Sequence, residues 1–142
     1  LEKIKSYLDY GAFTPIQVAA ASALSSDPST IAKVREVYKK RRNVLVDAMS
    51  KAGWEIPSPD ATMFAWAPIP EKFKSLGSLE FSKVLLKEAD ISVAPGIGFG
   101  EYGENFVRIG LVENEHRIRQ AARNIKAVFT KADKILSDHS PN

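Results

Sequence analysis

A chain of 142 residues, 44% hydrophobic and 26% charged, has the length and composition of one ordinary globular domain. Its net charge of +3 is mild, and basic residues alternate with acidic ones except in a run at 39–42, so we expect no nucleic-acid partner. The absence of cysteine excludes disulfides, thiolate catalysis and cysteine-ligated metal, and it fits a reducing compartment such as the cytoplasm. We find no signal peptide and no apolar run near the roughly 18 residues of a membrane span, so no membrane partner is expected.

The sequence pattern over residues 1–28 predicts helices. Residues 1–13 are amphipathic. Thr14 followed by Pro15 is a typical helix entry, with the threonine as the cap and the proline in the first turn. Residues 16–24 are alanine-rich and apolar, which favours a buried helix. A break at residues 25–28 then supplies a second helix start.

The middle of the chain changes from helix to strand. Apolar side chains recur at helical spacing over residues 29–52, and Gly53 is the natural end of that helix. Residues 54–56 and 62–67 are predicted strands separated by a proline-rich turn. Residues 72–77 are predicted to form a loop. The basic run at 39–42 falls on the long helix, where it is expected to form a solvated face with salt-bridge partners.

The last part of the chain alternates the two kinds of element. Ser78 is expected to cap a helix, residues 91–94 and 106–111 are predicted strands, and Asn114 is expected to cap one long final helix. Helices and strands mix without a regular βαβ repeat. The predicted fold class is therefore α/β, with a small, mostly antiparallel sheet and helices packed on one face.

Arg108 is the candidate binding residue, because it interrupts a strand pattern that is otherwise apolar and branched. An arginine in such a strand is costly unless a fixed anion meets its planar fork. A small carboxylate would match that fork. The alternative is an internal salt bridge to Glu101, Glu104 or Glu113.

A glycine-rich segment, residues 95–103, precedes the Arg108 strand and is called the glycine loop below. Its spacing fits neither the P-loop nor the dinucleotide fingerprint. Its glycines instead permit close backbone approach and positive φ, so that the loop can lie over a site. A plain connecting turn is the alternative.

Three ordered motifs carry a family resemblance. They are VAPG at 93–96 with the following Phe99-Gly100 and the strand FVRI at 106–109, the strand DATMFAW at 60–66, and the helix segment YKKRRN at 38–43. Together they resemble the C-terminal small domain of fold-type-I, pyridoxal-phosphate (PLP)-dependent aminotransferases of class I/II. Within that family, the motifs are most similar to those of the alanine, aspartate or LL-diaminopimelate aminotransferases.

The resemblance implies roles for particular residues. Arg108 would bind the α-carboxylate of the substrate. Met63 and Phe64 would lie near the substrate, although Ala61 stands where the family has glycine. The glycine loop would lie at the site and move on closure, with contributions from Pro95, Gly96, Gly98 and Phe99. Residues that could reach across a dimer interface are Tyr10, Phe13 and Thr14.

The resemblance also implies parts that this chain lacks. The family's Schiff-base lysine follows a serine and precedes an Arg-x-Gly, and neither Ser50-Lys51 nor Ser82-Lys83 has that context. We therefore expect a piece of a longer protein that starts inside it at Leu1, with residues 1–24 as the end of a large domain and connecting helix and 25–142 as the small domain. PLP would be held by the missing N-terminal large domain, amino acids and 2-oxo acids would be the substrates, and the intact protein would be a homodimer.

Other readings remain open. The chain could be a standalone domain that binds a carboxylate or a protein without chemistry. It could also belong to a related PLP enzyme that is not a transaminase, such as a C–S lyase or a decarboxylase. His116 and His139 are isolated and lack metal-ligand spacing, so no metal site is expected.

Overall fold

The computed structural model describes residues 1–8 and 11–138, so Tyr10 and His139 lie outside the described residues. Helices and strands follow in the order α1 (Glu2–Leu8), α2 (Thr14–Leu24), α3 (Ser29–Lys51), β1 (Phe64–Pro68), α4 (Gly77–Ala89), β2 (Ala94–Pro95), β3 (Phe106–Gly110), α5 (Glu115–Thr130) and α6 (Ala132–Asp138). Short 3₁₀ turns occupy Glu71–Leu76, Gly96–Phe99 and Glu101–Gly103. None of the helices in the described ranges combines the length and hydropathy that a membrane crossing requires.

The chain forms two compact units, Leu1–Val34 and Arg35–Asn142. In the first unit, α1 and α2 have no buried residue. The predicted burial of residues 16–24 is therefore wrong for this chain, since Ile16 and Val18 are each 63% exposed. Apolar composition shows that a helix suits burial, but the covering surface must come from another segment. The domain boundary predicted after residue 24 stays a prediction.

The helix starts in the first unit differ from the expected ones. The predicted threonine cap is wrong, because Thr14 is already helical and Phe13 holds the cap position without a side-chain hydrogen bond. Before α3, the carboxylate of Asp27 accepts hydrogen bonds from the hydroxyl (2.6 Å) and the backbone N–H (3.0 Å) of Ser29. These two hydrogen bonds hold the pKa of Asp27 below its ordinary value, and the one from the Ser29 hydroxyl contributes more than the one from the N–H.

The second unit is built on a three-stranded antiparallel sheet with the order β1-β3-β2. Ala67 of β1 lies opposite Val107 of β3, and both are fully buried. Because side chains alternate along a strand, one face of the sheet enters the core and the other is left open. Helix α4 packs against β2, β3 and α5. The predicted fold class, a small antiparallel sheet with helices on one face, is confirmed.

An aromatic cluster fills the core on the helical side. Trp54 meets Phe81 edge-on at 5.7 Å between ring centroids, and Phe129 lies 5.9 Å away. Its indole Nε1–H donates to the carbonyl of Pro68 at 2.7 Å. The predicted strand at residues 54–56 is not formed, since a short apolar run indicates burial without deciding whether the backbone pairs.

The bounds of several other helices and strands differ from the predicted ones. The predicted loop at 72–77 is mostly 3₁₀ helix, and the strand predicted at 91–94 pairs only at Ala94–Pro95. The single final helix is interrupted at Lys131. There the hydroxyl of Thr130 bonds back to the carbonyl of Lys126 at 2.8 Å, a contact that competes with the helical ladder.

The basic run on α3 is more than a solvated face. Arg41 donates to the carbonyls of Leu111 (3.1 Å) and Val112 (3.0 Å), and Arg42 donates to the carbonyl of Pro59 at 3.3 Å. These two arginines tie the helix to the chain just after β3 and just before β1. Lys40 lies 4.0 Å from Glu115, the kind of salt-bridge partner that was expected.

Candidate functional site around Arg108

Arg108 lies in the middle of the open sheet face. It belongs to the central strand β3, and the register places Trp66 and Ala94 directly beside it on the two neighbouring strands. Its neighbour Val107 points into the core, so Arg108 points to the other face. The strand is thus buried on one side only, and the arginine is half-buried rather than enclosed.

Two phenyl rings flank the guanidinium group. The central carbon of the Arg108 guanidinium lies 4.2 Å from the ring centroid of Phe64 and 4.5 Å from that of Phe99. Phe64 comes from β1 and Phe99 from the segment after β2, while β3 runs between those strands. The rings therefore approach from two sides, and cation–π attraction holds the planar cation between them.

The hydrogen-bonding edge of Arg108 is free for a ligand. Within residues 1–8 and 11–138, the side chain of Arg108 has the two ring contacts and no hydrogen bond or ion pair. The internal salt bridge to Glu101, Glu104 or Glu113 is thus not formed. A guanidinium that contacts two rings and makes no hydrogen bond within the described residues can meet a planar carboxylate with two parallel hydrogen bonds.

Further aromatic side chains extend this face. Trp66 stacks on Phe106 at 5.6 Å and meets Phe99 edge-on at 5.6 Å between centroids. We call Phe64, Trp66, Phe99 and Phe106 the aromatic face. Trp66 and Phe106 were not singled out as site residues from the sequence, although their spacing of two from Phe64 and Arg108 places them on that side of the sheet.

The glycine loop is tightly folded rather than open. A Cβ atom on Gly96 would overlap the carbonyl oxygen of Gly103, and a Cβ on Gly103 would overlap that of Gly96. Gly100 has a φ of 115°, which favours glycine. Gly98 has open space around it, and nothing in the structure explains a need for glycine there. Phe99, at the tip of this loop, is 53% exposed although it touches Arg108 and Trp66.

The glycine loop is attached to the start of α4. The carboxylate of Glu104 accepts from the backbone N–H (3.0 Å) and the hydroxyl (2.9 Å) of Ser78, and the Ser78 hydroxyl accepts from the N–H of Ile97 at 3.0 Å. The predicted capping role of Ser78 is therefore wrong. Ser78 is inside the helix, and Glu104 provides the carboxylate that a helix N-terminus favours.

Met63 and its neighbours form the turn into β1. Thr62 has a φ of 72°, and its hydroxyl accepts from the N–H of Phe64 at 3.1 Å. Ala61 does not share this left-handed backbone, so an alanine fits there without the strain that a positive φ would cause. The carbonyl of Met63 accepts from the N–H of Leu111 at 2.8 Å. The substrate contact predicted for Met63 stays a prediction.

The residues predicted to cross a dimer interface lie in the first unit or outside the described residues. Phe13 is 73% exposed, and Thr14 is also exposed. Tyr10 is not among the described residues. The cross-dimer role of all three stays a prediction.

A separate cavity of about 730 Å³ lies on the helical side of the sheet. It is bounded by α3, α5 and residues 90–93, and its lining includes Ile109 but not Arg108. Arg108 is thus on the side of the sheet away from this cavity.

Among the described residues, no lysine is placed as the Schiff-base lysine that PLP requires. Strands β1, β2 and β3 contain no lysine. Lys51 and Lys83, the two that follow a serine, lie on helices with side chains 74% and 59% exposed, and they pair with Asp47 and Glu80. No step of cofactor chemistry is assigned to this chain.

Comparison with known proteins decides the family. The family model "Aminotransferase class I and II" matches residues 2–125. The chain belongs to the class I and II aminotransferases. The predicted resemblance is therefore confirmed. Among curated relatives, this aminotransferase chain is 66% identical to the putative aminotransferase AatC of Rhizobium meliloti (strain 1021), over 96% of this chain and 34% of the relative.

Other relatives agree. Glutamate-pyruvate aminotransferase AlaC of Escherichia coli (strain K12) is 54% identical over 96% of this chain and 33% of its own length. The solved structure of apo-BacF from Bacillus subtilis superposes with a TM-score of 0.80 at 32% identity, over 89% of this chain and 32% of that one. The aromatic aminotransferase of Pyrococcus horikoshii OT3 gives a TM-score of 0.73 at 30% identity, over 83% and 32%. This aminotransferase chain thus spans about one third of the length of its relatives.

Proposed function

We propose that the chain is the C-terminal domain of a PLP-dependent aminotransferase that moves an amino group between an amino acid and a 2-oxo acid, and that Arg108 binds the α-carboxylate of both. Family membership supports the reaction class. One observation carries the residue assignment: the Arg108 guanidinium is flanked by Phe64 and Phe99 and has no hydrogen bond or ion pair within the described residues.

The physical case rests on how an arginine recognises a carboxylate. Its planar fork stays charged at every physiological pH and presents paired N–H donors along its edge. The two rings lie against the guanidinium and restrict it, so less freedom is lost when a ligand binds. In this proposal the chain binds and orients the substrate. PLP, held by the rest of a longer protein, supplies the electron sink for transamination.

The names of the relatives suggest which substrates to test first. The Escherichia coli relative is a glutamate-pyruvate aminotransferase, so L-glutamate and pyruvate form the first pair. Several less similar relatives are LL-diaminopimelate aminotransferases, which makes LL-diaminopimelate the second amino donor to try. A homodimer with a shared site and a cytoplasmic location belong to the same proposal, and the family resemblance supports them.

The test replaces Arg108 in the full-length, PLP-loaded enzyme. With L-glutamate and pyruvate, we expect Arg108→Ala to lower kcat/KM by the equivalent of roughly 2–5 kcal/mol, because a desolvated ion pair loses one partner. Arg108→Lys keeps the charge but loses the fork and should recover only part of the loss. Arg119→Ala, an exposed arginine on α5, is the matched control and should leave kcat/KM unchanged.

Two outcomes would contradict the proposal. An unchanged kcat/KM of Arg108→Ala for every amino-acid substrate would remove Arg108 from substrate binding. If the PLP-loaded enzyme consumes amino acids without aminating any 2-oxo acid, its reaction is a PLP reaction other than transamination. The PLP absorbance of each variant is recorded so that a loss of cofactor is not mistaken for a loss of substrate binding.

A further inference from the structure

We infer that Glu104 and Ser78 are positioning residues for the Arg108 site: they fasten the glycine loop to the start of α4 and thereby hold Phe99 against the guanidinium. This inference rests on the proposed function, because it takes Arg108 as the carboxylate-binding residue. It assigns a role to a serine and a glutamate that do not themselves contact Arg108.

The attachment consists of three hydrogen bonds made by Ser78, two through its buried hydroxyl and one through its backbone N–H. Ser78 is fully buried, and its hydroxyl both donates to Glu104 at 2.9 Å and accepts from the N–H of Ile97 at 3.0 Å. The second carboxylate oxygen of Glu104 accepts from the Ser78 N–H at 3.0 Å. One serine therefore holds both the beginning of the glycine loop, at Ile97, and the residue just after its end, at Glu104.

The rest of the loop is a compact backbone that carries Phe99 at its tip. The backbones at Gly96 and Gly103 are in contact, so the loop closes on itself at its base. At the tip, a Cβ placed on Gly98 or on Gly100 would find no heavy atom within 4 Å. The Gly100 N–H donates to the carbonyl of Ile97 at 3.0 Å and closes the turn that carries Phe99. The position of the Phe99 ring therefore depends on Ile97, which Ser78 holds, and on its contacts with Arg108 and Trp66.

Loss of the attachment should weaken substrate binding in a particular way. If Glu104 no longer holds the loop, Phe99 samples other positions and one side of the Arg108 guanidinium is no longer covered. The more mobile guanidinium of Arg108 then loses conformational freedom when the substrate carboxylate binds. This loss weakens binding of the substrate and of the transition state by the same amount. Such a uniform loss raises KM and leaves kcat nearly unchanged.

The experiment measures KM and kcat for L-glutamate and pyruvate in the full-length, PLP-loaded enzyme. We expect Phe99→Ala to raise KM about three- to tenfold, the range of one cation–π contact, with kcat within about twofold of the wild type. Glu104→Gln should raise KM by a smaller factor, because the amide oxygen can still accept from the Ser78 N–H while the acceptor for the Ser78 hydroxyl is lost. Phe99→Tyr keeps a ring and should restore the wild-type KM. Glu101→Gln removes the same charge three residues earlier in the chain, where the exposed side chain makes no hydrogen bond or ion pair within residues 1–8 and 11–138, and it should change nothing.

The double variant decides whether Glu104 acts through Phe99. Because both changes remove the same contact, Glu104→Gln combined with Phe99→Ala should have the KM of Phe99→Ala alone. Hydrogen exchange of the peptide that covers residues 96–103 should be faster in Glu104→Gln than in Glu101→Gln. Should Glu104→Gln fail to fold, Ser78→Ala removes two of the three hydrogen bonds and takes its place.

Each contrary result has one meaning. Multiplicative effects in the double variant, or faster exchange without a change in KM, would overturn the inference that Glu104 positions Phe99. The same holds for an unchanged KM in Phe99→Ala. If Arg108→Ala is still impaired in these cases, the proposed function stands and only the positioning role fails. If Arg108→Ala is unimpaired, both fail together.

Discussion

At Arg108 the cost of placing a cation on a sheet is offset by aromatic rings rather than by a carboxylate. The two ring contacts, at 4.2 and 4.5 Å, are each worth about 0.5–2 kcal/mol depending on how far water is excluded. An internal carboxylate would have neutralised the fork. Rings stabilise the cation and leave its hydrogen-bonding edge available, which is the property that a carboxylate site needs.

The two tryptophans give a matched test of residue-scale burial. Trp54 is 1% exposed and donates to the carbonyl of Pro68, while Trp66 is 37% exposed on the open face. In urea denaturation of the 142-residue chain followed by circular dichroism, Trp54→Phe should lower the free energy of unfolding by about 1–3 kcal/mol, because it leaves that carbonyl unsatisfied. Trp66→Phe should cost less than about 1 kcal/mol. Equal losses would contradict the assigned burial.

At the scale of elements, local rules worked where the capping group is a near neighbour. The side chain of Asn114 accepts from the N–H of Arg117 at 3.0 Å, as predicted for the start of α5. Beside it, the backbone N–H of Glu115 itself, helped by nearby Lys40 and arginines, lowers the pKa of the Glu115 carboxyl. The start of α4 follows no local rule, because Glu104 is 26 residues away from the Ser78 it binds.

Removing the α5 cap should have a local and measurable cost. Asn114→Ala is expected to lower the free energy of unfolding by about 1 kcal/mol, since one N–H of the first turn loses its acceptor. Asn114→Asp keeps an acceptor and should retain most of the stability. Both values come from urea denaturation at neutral pH. An alanine variant as stable as the wild type would show that water replaces the cap without loss.

At the scale of the whole molecule, the two compact units differ in how they are stabilised. The core cluster begins at Leu45 and lies entirely in the unit Arg35–Asn142. Among residues 1–8 and 11–34, the described part of the unit Leu1–Val34, there are apolar side chains but none that is buried. Apolar surface that stays in contact with water contributes nothing to the free energy of folding.

Limited proteolysis of the isolated 142-residue chain should reveal this difference. Trypsin is expected to cut first at exposed lysines in the unit Leu1–Val34, such as Lys33, because segments without buried contacts open at low free energy. A resistant fragment that starts near residue 34 should accumulate and be identified by mass spectrometry. Cleavage first within α4 or α5 would contradict the assignment of the core to the second unit.

Much of the fold followed from local patterns. Alternation predicted β1 and β3, helical spacing predicted α3 and α5, and the lone cation in an apolar strand singled out Arg108. Each of these features depends on residues that are close together in the sequence, so the local pattern of apolar and polar residues is enough to predict it. The family motifs, also short and ordered, were enough to identify the aminotransferase resemblance that the comparisons confirm.

What the sequence by itself determined, then, is the helices α3 and α5, the strands β1 and β3, the choice of Arg108 as the candidate binding residue, and the family. The tertiary structure decided that Trp54 is buried without pairing, that residues 16–24 remain exposed, and that Ser78 binds Glu104. It also decided that Phe99 lies against Arg108. Each of these depends on groups far apart in the chain, which no local periodicity specifies, because their meeting is set by how the sheet and helices pack.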